Sequence, residues 1–208
     1  MNKDMHRVWA IGFLLCVGCA GIGFAPGNTP TTLQGTLTNG VYRSADGRFS
    51  VALPLRNEDP SLRYLQITEQ YGAHSSILSF GPAAYDHSIF RLELVHKTTL
   101  QSRLIKLKNI AQPILDGLMS QMAAEHGVLP VIDQKNTLTL AGRDTLHWRL
   151  YQMFDKGPER NPQALRHEIY MIDFPDDAAI IWVQLDPKKF QGDADTTAQQ
   201  FASSLAFE

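Results

Sequence analysis

Past residue 19 this 208-residue chain has no cysteine; its two, Cys16 and Cys19, both precede whatever domain follows. A disulfide inside that domain is therefore excluded, and so is a zinc site built on several thiolates. An exported domain of this size can do without crosslinks, because it buries enough apolar surface. A dominant charge is missing too. The chain carries 19 Lys+Arg against 21 Asp+Glu, a net charge of -2. The balance stays near zero when Lys3, Asp4 and Arg7 are removed. No field exists to steer nucleic acid, so no nucleic-acid partner is expected.

Chemical motifs are equally scarce. There is no G-x-S-x-G and no internal repeat. His167-Glu168 opens like H-E-x-x-H, but Met171 holds the fifth position, so a zinc-protease reading fails. All the histidines but His6 lie past the leader: His74, His87, His96, His126, His147 and His167. None stands at ligand spacing from another. Gly18, Gly21 and Gly23 follow no strand and precede no Lys-Ser/Thr, so they make no phosphate loop. No metal, cofactor or catalytic residue is assigned. What the chain does have is 44% apolar residues, which suits a packed core and argues against disorder.

One apolar run stands out, VWAIGFLLCVGC at residues 8–19, preceded by Lys3 and Arg7. A basic start, an apolar stretch and the small residue Gly18 make a secretory leader. Its end, Cys16-Val17-Gly18-Cys19, resembles the lipobox of bacterial lipoprotein signal peptides, with Cys16 where that family usually has Leu. The resemblance implies a diacylglyceryl group on Cys19, cleavage before it and acylation of the new amino group. Several acyl chains anchor a protein where one is marginal. Ala20 in the second mature position implies the outer membrane, facing the periplasm. Two other readings stay open. Residues 8–25 are uncharged and just long enough, at about 18 residues, to suggest an uncleaved span. Ordinary cleavage after Ala20 or Ala25 is the other.

Residues 1–18 are thus expected as a signal peptide, 19–39 as a flexible tether and 40–208 as a single α+β domain. The tether expectation rests on Gly, Pro, Thr and Asn with no charge. Residues 41–44 read as a short strand and 49–53 alternate with period two, with Asp46-Gly47 between them as a hairpin signal. This stretch, residues 41–54, resembles the opening of PsbP-like domains. That resemblance implies an α/β/α sandwich and no catalytic residues. Residues 62–71, 75–80 and 88–97 read as further strands, the last with one buried face. Leu104, Leu107, Ala111, Ile114, Leu115, Leu118 and Met122 form a helical stripe. Pro113 predicts a boundary, with the firm helix from Pro113 to Glu125 and Gly127 past its end. Met119 and Met122 belong to the core on this reading, as do Trp148 and Trp182.

Strands follow at 128–132, 137–140, 145–154, 166–174 and 178–185, with a polar loop at 155–163. The run AAIIWVQL is expected to be central and covered on both sides. A last helix spans 193–205, with Asp193 or Asp195 as N-cap. The fold class is α+β, an antiparallel sheet covered by two main helices.

Two clusters carry candidate chemistry. Tyr71, His74, Ser75 and Ser76 lie near Tyr85, Asp86, His87 and Ser88, so an exported hydrolase can be drawn on paper. If the strands on either side of 155–163 pair, His147, Arg149 and Tyr151 share one face with Arg166, Glu168 and Tyr170. Arg and Tyr favour interfaces, which makes this face a candidate binding surface; the alternative is a plain solvated face with cross-strand pairs. The expected function is a lipid-anchored envelope lipoprotein with a non-catalytic binding or accessory domain. Its partners would be the membrane, through the lipid, and an envelope protein. An exported hydrolase and a domain holding a small apolar ligand are the alternatives.

Overall fold

The nine residues Asp177–Leu185 (β11) are all buried, and the molecule is layered around them. A strand that loses both faces to neighbours needs apolar side chains of both parities, which AAIIWVQL supplies. A computed structural model describes residues 31–33, 35–54, 65–71, 75–82, 89–97, 106–155, 162–187 and 193–207. In it β11 pairs antiparallel with β7 (Ile89–His96) on one side and β10 (Pro162–Asp173) on the other. The sheet continues through β9 (Arg143–Asp155) to β8 (Val131–Leu140), and the other way through β6 (Ser75–Pro82) and β5 (Leu65–Tyr71) to β1 (Thr31–Leu33). It has eight strands. A second sheet of four strands holds β2 (Thr36–Thr38), β3 (Val41–Arg43), β4 (Phe49–Ala52) and β12 (Ala206–Phe207).

Each face of the large sheet has its own core. Ala178, Ile180 and Trp182 of β11 pack with Trp148, Leu150, Ile169 and Met171 beneath α1 (Leu107–His126). Ala179, Ile181, Val183 and Leu185 face the other way. They meet Tyr42, Phe49 and Val51 of the small sheet and Ala198, Phe201 and Ala202 of α2 (Ala194–Ser203). Both helices are present as expected, but they do not cover the sheet alone. Helix α2 has only ten residues, about 15 Å of length, and the small sheet covers a further part of that face.

Three expectations need correction. The stretch expected to be a tether ends inside the fold: Thr31 pairs with Tyr71 and Thr36 with Arg43. Thr-rich, uncharged sequence suits an edge strand as well as a linker. Gly35 between these strands is required by space, since a Cβ there would stand 2.1 Å from the Arg43 carbonyl oxygen. Helix α1 runs straight past Pro113, beginning at Leu107. Pro113 sits on the exposed side, and the stripe Leu107, Ala111, Ile114, Leu115, Leu118 and Met122 is buried on both sides of it. That burial outweighs the roughly 3 kcal/mol that an interior proline costs. The helix stops at Gly127, whose φ of 73° is left-handed and whose N–H reaches the Ala123 carbonyl at 2.7 Å. Lastly, the two strands expected at 128–132 and 137–140 are one, β8, with an irregular register between Ile132 and Gln134.

Helix α2 is capped by Asp193. Its carboxylate accepts from the Asp195 and Thr196 N–H groups at 3.1 and 3.4 Å. Asp193→Ala should lower stability by about 1 kcal/mol in urea unfolding. A smaller loss for Asp193→Asn, which keeps an acceptor, would confirm that capping is the cause.

Candidate functional site

The pairing of β9 with β10 decides which side chains meet. Glu168 stands opposite Arg149, Tyr170 opposite His147 and Arg166 opposite Tyr151. Their neighbours in sequence, Trp148, Leu150, Ile169 and Met171, point at α1. Strand alternation therefore sends all six candidate residues to the opposite face, the one that carries α2. The six are brought together as the alternation predicts, but the plain solvated face it also allowed is not what forms. Glu168 is 0% exposed, His147 5% and Tyr170 3%.

Glu168 is the centre of this cluster. It accepts from Arg149 Nε at 2.7 Å, from Arg166 Nε at 2.6 Å and from His147 Nε2 at 2.5 Å. Burial alone would push its carboxyl up, but these three donors outweigh burial and hold it below the usual carboxylate range. The same contact raises Arg149, against a lowering by burial. Tyr170 is pushed up by burial first and by the Glu168 charge second. Its ring stacks on His147 at 4.6 Å between centroids, and the Asn136 side-chain amide stands 2.7 Å from His147 Nδ1. From α2, Asp195 reaches down to both Arg149 and Arg166. A buried carboxylate with this many charged donors is stable only as a complete set.

Beyond Asp195 the same face is open. Continuing the alternation past Arg149 and Tyr151 reaches Met153, which pairs with Ala164; Val131 pairs with Tyr151. Val131 is 69% exposed and Met153 60%. The patch at the start of α2 is thus locked by charge, and the β8–β9 edge beyond it shows Val131 and Met153 to solvent. Met153 and Val131 were not singled out in the sequence. Met153 could have been found by extending the period-two count by one step, whereas Val131 depends on the β8 register.

A second polar cluster lies at the other end of that face, under the β3–β4 hairpin. Ser76, on β6, places its Oγ 3.1 Å from His96 Nε2. His96 Nδ1 is 2.7 Å from Asp177 Oδ1. Arg48, from the hairpin, donates to both Asp177 oxygens at 3.1 and 3.2 Å. Next to it the Tyr42 hydroxyl donates to Glu69 at 2.5 Å, and Tyr71 donates to the same carboxylate. The turn N–H of Ala45 reaches Glu69 at 3.2 Å. Burial, and then the Glu69 carboxylate, push both tyrosines up. Of the Ser/His/Asp set drawn from sequence, Ser76 enters this cluster and, among the described residues, Ser75 does not. Ser75 pairs with Val95, whose side chain packs in the core under α1, so it faces the other way. His74, Tyr85, Asp86, His87 and Ser88 lie outside the described residues. His96 and Asp177 were not expected here, because three strands far apart in sequence bring them together.

On the α1 face, His167 is fully buried. Its Nδ1 accepts from Trp182 Nε1 at 3.1 Å, so the neutral ring carries its proton on Nε2. Among the described residues no three His, Cys, Asp or Glu are grouped to hold a metal ion.

In its fold the chain is similar to the solution structure of cyanobacterial PsbP (CyanoP) from Synechocystis. The identity is 6% and the TM-score 0.50, covering 90% of this chain and 99% of that one. That likeness supports a PsbP-like fold and says nothing of activity. A crystal structure from Bacteroides thetaiotaomicron aligns at 12% identity with a TM-score of 0.43, too loose to carry an argument. It covers 85% of this chain, which spans about half (49%) of that protein. No protein-family model matches the sequence, and no curated protein matches it.

Proposed function

We propose that this chain is an exported lipoprotein of the bacterial cell envelope, held at the outer membrane by lipid on Cys19. Its folded domain binds a partner protein of the envelope. The reading rests above all on residues 16–19, where a small residue and a cysteine end the apolar run of a basic-headed leader. The described residues hold no helix long and apolar enough to cross a membrane. The docking surface in this reading is the open β8–β9 edge of the α2 face, with Val131, Met153 and Tyr151 bordered by Arg149 and Arg166. Tyrosine and arginine beside exposed apolar side chains suit partner recognition.

Feeding cells an alkyne-tagged fatty acid tests the anchor. The wild-type chain should take up label and fractionate with the outer membrane, and Cys19→Ala should lose the label. Unlabelled wild-type chain, or Cys19→Ala that is processed and still fully membrane-bound, would sink the lipid reading. The docking surface is tested in the anchored protein by Val131→Glu with Met153→Glu. This pair should remove crosslinks to envelope proteins and leave labelling intact; unchanged crosslinks would discard the surface.

A further inference from the structure

We propose that Ser76 is a nucleophile activated by His96 and Asp177, able to take an acyl group from a small ester. The inference does not depend on the lipid anchor or the docking face. Its basis is geometry. Oγ to Nε2 is 3.1 Å and Nδ1 to Oδ1 is 2.7 Å, the distances at which a serine, its base and the group that orients the base work together. The three come from β6, β7 and β11, neighbouring strands of one rigid sheet. Ser76 pairs with Leu94 and Asp177 with His96, so the register sets the row. Asp177 is held in place by two further bonds from Arg48.

Arg48 also decides access. Its Nη1 lies 3.0 and 3.3 Å from the two ring nitrogens of His96, so the guanidinium stands over the imidazole and beside Ser76. Ser76 is 3% exposed, while the Arg48 side chain is 42% exposed. The arm over the site is bonded to Asp177 and His96 yet reaches solvent, so it is the group that a substrate must displace to enter. A site this closed takes a short acyl chain.

The step balances without a cofactor. Oγ bonds to the carbonyl carbon as its proton passes to His96 Nε2. The carbon–oxygen bond to the leaving alcohol then breaks, and that oxygen takes the proton from His96. Water repeats the sequence on the acyl-serine, releasing the acid and restoring the hydroxyl. A purely structural cluster would hold the β3–β4 hairpin equally well, yet it would give Ser76 no reactivity toward an electrophile.

The test treats the full-length chain in detergent with a small fluorophosphonate, followed by peptide mapping. The expected result is an adduct on Ser76, none in Ser76→Ala, none in His96→Gln, and labelling at least about tenfold slower in Asp177→Asn. Wild-type chain that is folded by circular dichroism and carries no adduct on Ser76 overturns the proposal. So does labelling that His96→Gln leaves unchanged. Mapping on the wild-type chain needs no variant, so a variant that fails to fold leaves the test standing.

Discussion

Glu168→Leu is expected to destabilise the domain by about 3–5 kcal/mol, the largest loss expected from any single polar residue here. The carboxylate is 0% exposed and accepts from Arg149, Arg166 and His147. Removing it leaves two guanidinium groups and an imidazole crowded under α2. Asp195 is then their remaining counter-charge, and at 54% exposure it is too well solvated to replace Glu168. Urea unfolding at pH 7 measures the loss. The cause is checked by adding Arg149→Met and Arg166→Met to Glu168→Leu. If the penalty comes from orphaned charge, the triple variant recovers most of the stability, because apolar side chains of similar volume replace a buried ion cluster at little cost. A triple variant no better than the single one would mean that Glu168 acts through shape alone. The same linkage sets a pH limit. Glu168 is held below its ordinary value, so its contribution is present above the unfolded carboxylate range and is lost as pH falls through the lower, folded value.

Acid should destabilise the domain earlier than that, through His167. Burial first, and the nearby His126 second, lower His167 from 6.5 to about 3. A base with a depressed folded pKa is protonated first in the unfolded chain. Its effect is therefore absent above pH 6.5 and grows as pH falls toward about 3. At about 1.4 kcal/mol per unit, the two units from 6.5 to 4.5 amount to about 3 kcal/mol. Unfolding free energies at pH 7 and 4.5 should differ by about this much in the wild-type chain. His167→Gln keeps an acceptor for Trp182 Nε1 and removes the titration, so its two values should lie much closer together. An equal drop in the variant would assign the acid sensitivity to other groups.

Both residues show how far the sequence could be read. Glu168 was placed on the right face with the right neighbours, because period-two alternation needs only the pairing of two strands joined by one loop. Its burial was not legible, since that depends on α2 arriving from the other end of the chain. His167 appeared in sequence only as part of a failed zinc motif. Its partner Trp182 lies on the neighbouring strand, two pairs from it in register, at a distance no local pattern reports. Ser76 stands out in sequence beside His74, Asp86 and His87, which lie outside the described residues. Its partners His96 and Asp177 come from two other strands of the sheet.

What local chemistry settles in this chain is the set of features that act within a few residues. These are the Asp46-Gly47 hairpin, the Gly127 stop, the Asp193 cap and the doubly apolar β11. Each follows from a turn, a cap or a period, whose energy is local. Tertiary structure decided the rest. It carried α1 through Pro113 because burial on both sides outweighed a local penalty. It turned residues 31–33 and 36–38 from linker into strands because edges were waiting to pair. It left one sheet face covered over its core and open at its β8–β9 edge, because the short α2 and the small sheet cover only part of it. Burial and long-range pairing are sums over the whole chain, so no stretch of sequence taken alone contains them.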